Sequence, residues 1–455
     1  MPATSPPEQG LREQDFRPQQ EEGSLLAGRI SGRVPSQFAR PLEAVALLLA
    51  MALLYFGTEW IDEKLVVTLG LAIFVSRLPF VEGSERRHIV LAIGFLGMIA
   101  MASPALAVLL LLLWPLACRI ATRPDQRPLF GALVLVAIFP FLFYLPGLSP
   151  QWVSGKVFEQ GVLLACLSVY YLWITARREG LPRWSRSRLL LYVLPWQSFF
   201  YNTCYGPKEW LRQDRPGLQT ALWGFQAALL FFLKAKAFFW LHTQFPWVLQ
   251  DHALARVLLK DVGPAMIWGA GAVLYVEWYL LLSMLGDAVN TVARFSGFAM
   301  RSNFRFPLLA CSPIDLWRRW AIWNRLFLLR AIYFPLGGNN KRVYLHILAV
   351  FLGSTIIFHF GLIGRNEFSL DAEYVFAWFF YLMSQGLLVC LEVGWWRWRG
   401  KLRPKDPPPW HHPSRIIGVI IMQTIAIWLH MAILLPWGGG LDERFEIMAR
   451  MLGVD

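Results

Sequence analysis

Runs of about 20 apolar residues, the length that crosses the hydrocarbon core of a bilayer as a helix, recur along almost the whole chain. They occupy 41–57, 65–80, 88–102, 104–120, 128–146, 160–176, 219–240, 264–284, 343–363, 374–395 and 415–436, with a few half-length segments between them. A backbone in lipid has no water to hydrogen-bond, so runs of this length must satisfy their own peptide groups as helices. The chain is therefore expected to be an all-α polytopic membrane protein of roughly 10–13 transmembrane helices. Composition agrees: 56% hydrophobic and only 16% charged residues, with a mean hydropathy of +0.44, exclude an ordinary water-soluble domain.

The formal charge of +13 does not point to nucleic acid, because the basic residues fall in short loops between apolar runs. With the N-terminus cytoplasmic, the acidic loop TEWIDEK after the first run lies outside. The basic loops RIATRPDQR at 119–127 and ARREGLPRWSRSR at 176–188 then lie inside, as the positive-inside rule requires. Residues 1–40 have no apolar stretch and read as a disordered cytoplasmic tail. A polar segment this long ahead of the first apolar run is not the layout of a cleaved signal. The organisation expected is tail 1–40, N-terminal transmembrane helices 41–180, a core 190–363, and C-terminal transmembrane helices and tail 364–455.

One stretch fits poorly with lipid. In SPIDLWRRWAIWNRLFLLRAIYFPLGGNN, Arg318 and Arg319 lie between Trp317 and Trp320, and Gly337-Gly338-Asn339-Asn340 closes the run. On one continuous helix Trp317, Ala321 and Asn324 share a face. Buried charges are costly unless they meet protein, water or headgroups. Short tilted or re-entrant helices over 305–336, lining a central cavity with tryptophans at headgroup level, are therefore expected instead of a lipid-facing span. Arg318 and Arg319 each need a carboxylate, carbonyl or phosphate, and Asp287 and Asp315 are the nearest acids in sequence.

Other polar residues carry weaker signals. Cys118, Cys166, Cys204, Cys311 and Cys390 have no CxxC spacing and read as small buried hydrophobes. His411 and His412 lack a third ligand nearby, so no metal is expected. Lys234 and Lys236 must snorkel to an interface or face a cavity, and snorkelling is the expectation. Glu277 and Glu392 are intramembrane carboxylates whose partners the sequence does not reveal. No phosphate-loop, HExxH or GxSxG motif is present, and no internal repeat indicates a transporter.

The run FSGFAMRSNFRFPLLACSPIDLWRRW followed by PLGGNN resembles the core of the membrane-bound O-acyltransferase family, in particular the bacterial branch that esterifies alginate and teichoic acids. SFFYNTCYGPKEW at 198–210, EWYLLLSMLGDAVNTVARFSGF and VYLHILAVFLGSTIIFHFG extend the resemblance in order over about 190–363. It implies His359 as the central catalytic histidine, a general base suited by its pKa of ~6.5. It also implies Tyr279, Asp287, Trp317, Arg318, Arg319 and Trp320 as tunnel or support positions. The implied donor is acyl-CoA or another acyl thioester, with no tightly bound cofactor. The implied acceptor is an envelope polysaccharide, glycolipid or lipid, in a bacterial inner membrane, with partner proteins of an acylation pathway.

The departures are specific. Ala321 stands where bacterial members carry a second histidine, Leu329 and Arg330 where they carry Arg-Asp, and Leu281 where they carry an aspartate. Two readings follow. In one, Asn324 of the Trp323-Asn324 pair takes over the polar role and catalysis survives. In the other, the chain is an inactive scaffold or a transporter-like subunit of a membrane assembly. His346 lies about 20 Å from His359 along a helix and on another face, so it reads as a helix-end or interfacial residue.

Overall fold

The computed structural model describes residues 29–57, 115–119, 167–177, 217–249, 261–295, 300–339, 342–357, 372–400, 412–434 and 441–454, together with positions 27, 259 and 409. All regular structure among them is helical. In chain order the elements are α1 (Ser36–Gly57), α2 (Leu218–Gln244), the short α3 (Pro246–Leu249), α4 (Pro264–Phe295), α5 (Pro313–Arg319), α6 (Ile322–Leu328), α7 (Val343–Ser354), α8 (Ala372–Trp398), α9 (Pro413–Leu434) and α10 (Leu441–Met451). A 3₁₀ turn at Pro307–Leu309 precedes α5, and a π turn at Leu329–Tyr333 follows α6.

Five of these helices, within α1, α2, α4, α8 and α9, are long and apolar enough to cross a membrane. They coincide with the apolar runs at 41–57, 219–240, 264–284, 374–395 and 415–436. Residues 115–119 and 167–177 are helical inside two further runs. The runs at 65–80, 88–102 and 128–146 lie outside the described residues, as do His359, His411, Cys166, Cys204 and the N-terminal tail up to residue 26. The segment after α9 contains α10. Its Ile447, Met448 and Met451 are buried, and the indoles of Trp428 and Trp268 donate to the Met448 and Met451 carbonyls at 2.9 and 2.7 Å.

Helix starts follow local chemistry. Proline occupies the first position of α4, α5 and α9, where its missing N–H costs no helical bond. The α2–α4 pair forms the centre of the fold. α1 packs on α2, α9 on α4, α8 on α9, and α7 on α8, while α10 lies across α4, α8 and α9. Close approach is made with small residues: a Cβ on Gly271 of α4 would lie 2.9 Å from the Met431 sulfur of α9, and one on Gly418 of α9 would lie 2.8 Å from the Cys311 carbonyl oxygen. This arrangement brings α9 against the segment that leads into α5.

Candidate functional site

The 305–336 region consists of short helices, as its charges required, but α5 and α6 do not form one rod. α5 begins with Ser312, whose hydroxyl accepts from Asp315 N–H at 3.2 Å. It ends where Trp320 turns extended, and Ala321 then adopts φ 41°, a left-handed conformation, before α6 restarts. Trp317, Ala321 and Asn324 therefore belong to a broken elbow, and the face expected from their helical spacing does not exist.

Residues 301–305 run alongside the break and satisfy its backbone. Asn303 accepts from Ile322 N–H through its carbonyl at 2.8 Å and from Trp323 N–H through its side chain at 3.0 Å. It serves as an N-cap supplied from outside the helix, a role that Ala321 cannot fill. The Arg305 N–H donates to Arg319 O at 2.9 Å, and the Trp323 indole donates to Arg301 O at 3.0 Å. The buried Arg294 holds this segment from the other side, donating to Met300 O at 3.3 Å and to Ser302 Oγ at 3.2 Å, with Trp223 of α2 under its guanidinium at 4.2 Å.

The acids divide between two sites. Asp315 is the partner of Arg319, at 2.9 Å across one turn of α5. Its second oxygen accepts from the Cys311 N–H at 3.2 Å. Burial and the Asp315 charge push the Cys311 thiol above its ordinary pKa. Glu392 of α8 also finds its partner here, accepting from Ile314 N–H at 2.9 Å in the first turn of α5, where the unpaired N–H groups of a helix favour a carboxylate.

Asp287 is engaged elsewhere. Lys234 of α2 forms an ion pair with it and also donates to Ser283, both on α4. Snorkelling of Lys234 is thereby overturned: its side chain is 14% exposed and that of Asp287 6%, because α4 presents an acid and a hydroxyl one turn apart at the depth of the ammonium. The Tyr279 ring lies 6.0 Å from the ammonium. Three residues past Asp287, the fully buried Asn290 has no hydrogen-bond partner for either amide atom among the described residues. Two turns along α2, His242 faces Glu277 of α4 at 3.4 Å. Lys236 lies 5.8 Å from the Phe232 and Phe239 rings.

Trp320 joins the elbow to this helix pair. It is buried among Tyr279 (6.4 Å), Phe304 (5.3 Å), Tyr275 (6.1 Å, stacked) and His430 of α9 (5.9 Å). Trp317 points instead to Phe351 of α7 at 5.1 Å. Both indoles pack against neighbouring aromatic side chains. The Asn324 side-chain oxygen has no hydrogen-bond partner among the described residues.

Past α6, Arg330 is buried and donates to the Tyr171 hydroxyl at 2.6 Å. His346 is a helix-end residue as expected, its Nδ1 2.8 Å from the Gly338 carbonyl. Tyr333 donates to Asn339 at 2.6 Å, and burial raises its hydroxyl to a pKa of about 12. His430, Tyr275, Asn303 and Asn290 did not stand out in the sequence. A lone histidine in the apolar run of α9 was the one available signal.

The fold and this centre define a class: an all-helical polytopic membrane protein with a buried ionic group between two spans and a polar helical elbow packed against it. No family model matches the chain. Over short stretches it is similar to two curated bacterial proteins. One is a peptidoglycan O-acetyltransferase of Helicobacter pylori, 34% identical over 79 residues, which cover 17% of this chain and 15% of that protein. The other is the probable alginate O-acetylase AlgI of Pseudomonas putida, 31% identical over 98 residues, which cover 21% of this chain and 19% of that protein. The matches therefore span less than a fifth of either relative's length, and over those stretches the chain is related to O-acyltransferases.

Proposed function

We propose that the protein is a membrane O-acyltransferase that moves an acyl group, most simply acetyl, from a cytoplasmic thioester such as acetyl-CoA to a hydroxyl of an envelope polysaccharide, glycolipid or lipid. The observation that carries this reading is the pair of partial matches to O-acetyltransferases of envelope polymers. The buried polar centre beside the elbow supports it. In the reaction the acceptor oxygen attacks the thioester carbonyl while His359 takes the hydroxyl proton. The tetrahedral oxyanion then collapses, the C–S bond breaks, and the departing thiolate recovers a proton as free thiol. His359 comes from the family resemblance.

Asn324, with its side-chain oxygen unpartnered among the described residues, is the polar group available near Ala321. The protein would work in a bacterial inner membrane with its N-terminus cytoplasmic, supplied with donor from that side and assisted by partners of the same acylation pathway. The test is transfer from radiolabelled acetyl-CoA into envelope extract by purified protein. His359→Ala is expected to lower the rate by ~10²–10⁴-fold, the usual contribution of a general base. Equal labelling by both proteins, or none by the wild type, leaves the inactive scaffold or transporter-like subunit as the reading.

A further inference from the structure

Next to the Lys234 centre, where α4, α8 and α9 meet Trp320, lies a second buried polar group that the proposed chemistry does not use. His430 Nδ1 is 2.8 Å from the Ala426 carbonyl. A carbonyl can only accept, so Nδ1 carries the proton and, in the neutral ring, Nε2 is the acceptor. Tyr381 of α8 lies 3.0 Å from Nε2 and donates its hydroxyl proton there. Among the described residues, that leaves the lone pairs of the Tyr381 oxygen without a donor.

Tyr275 of α4 packs its ring edge-on to the same imidazole at 4.5 Å, and the Tyr381 ring does so at 4.6 Å. The Tyr275 hydroxyl is buried with no hydrogen-bond partner among the described residues. One tyrosine therefore has an unused donor and the other an unused acceptor, around a histidine whose two nitrogens are both occupied. A buried polar group without a partner is rare and calls for an occupant.

We propose that Tyr275 and Tyr381 hold one ligand hydroxyl between them. The incoming oxygen accepts from the Tyr275 O–H and donates its proton to the Tyr381 oxygen. His430 is the positioning residue: by taking the Tyr381 proton it turns that oxygen's lone pairs toward the ligand and strengthens them as acceptors. The hydroxyl is that of an acyl acceptor or of water, and the experiment separates the two. Resting on the acyltransfer reading, this names a hydroxyl-recognition site for it on α4, α8 and α9, built from residues that the resemblance does not single out and packed against Trp320, which it does.

The test uses the full-length protein in detergent, with 15N-labelled histidine, 1-butanol as the alcohol probe, and acetyl-CoA as donor. Tyr275→Phe removes one oxygen and keeps the ring packing, and His430→Gln assigns the resonance. Butanol is expected to shift the His430 Nε2 signal in the wild type and not in Tyr275→Phe. In turnover, Tyr275→Phe is expected to raise the acceptor KM about tenfold, one hydrogen bond's worth, at unchanged donor KM. If it instead slows hydrolysis of acetyl-CoA and leaves the acceptor KM alone, the bound hydroxyl is water's. An active wild type whose Nε2 signal ignores butanol, with Tyr275→Phe unchanged in both KM values and in hydrolysis, overturns the site and leaves acyl transfer standing. A butanol-dependent signal in a protein that neither transfers nor hydrolyses acetyl overturns the acyltransfer reading and leaves the site.

Discussion

Substituting Asp287 by asparagine should be strongly destabilising. The carboxylate faces Lys234, whose side chain is only 14% exposed, and the substitution takes away the counter-charge, leaving the ammonium only neutral acceptors, the Asn amide oxygen and the Ser283 hydroxyl. Two terms contribute. A charge-assisted hydrogen bond is worth about 1.5–3 kcal/mol. The ammonium must also stay out of water without its counter-charge, which brings the loss to the ~3–5 kcal/mol typical of breaking one side of a buried pair.

Lys234→Met should lose a comparable amount through the stranded carboxylate. The double variant Lys234→Met/Asp287→Asn removes both charges and should lose no more than either single variant. Reversible unfolding by SDS in mixed micelles measures all four proteins, and the double-mutant cycle should return a coupling of at least ~2 kcal/mol. Single losses below about 1 kcal/mol, or a coupling near zero, would refute a buried, mutually dependent pair.

Two smaller perturbations probe the elbow. Ala321 holds φ 41°, a conformation that costs an L-residue about 1–2 kcal/mol; Ala321→Gly should raise the unfolding midpoint by the equivalent of up to ~1 kcal/mol, and β-branched Ala321→Val should lower it. In a variant retaining Cys311 as its sole cysteine, the pH midpoint of maleimide labelling should lie above the ~8.5 of a free thiol, because burial and then the Asp315 charge disfavour the thiolate. Asp315→Asn removes the second cause, so labelling should shift to lower pH; an upward shift or none would count against the Asp315 contact.

Much of the architecture is written in local chemistry. Transmembrane length is set by the apolar run itself, and proline and glycine punctuate helices through their own backbones, so α2, α8 and α9 and the start of α4 could be placed to within a few residues, whereas α4 continues to Phe295, well past the apolar run at 264–284. The poor fit of Arg318, Arg319 and their neighbours with lipid likewise predicted short helices over 305–336. Local patterns could not show where the elbow breaks, since Ala321 tolerates its left-handed conformation only because Asn303 and Arg305 hold the backbone on either side. Nor could they show that Lys234 looks inward: its acid is 53 residues away in sequence. The Tyr381–His430 contact spans 49 residues, and Tyr275 joins it from a third helix. The sequence by itself determined which segments are helical and hydrophobic, because bilayer solvation and backbone propensity act on neighbouring residues. Only the tertiary structure decided which polar groups meet inside the bundle, because desolvation forces each buried polar group toward a partner, and which partner it finds depends on how the helices pack.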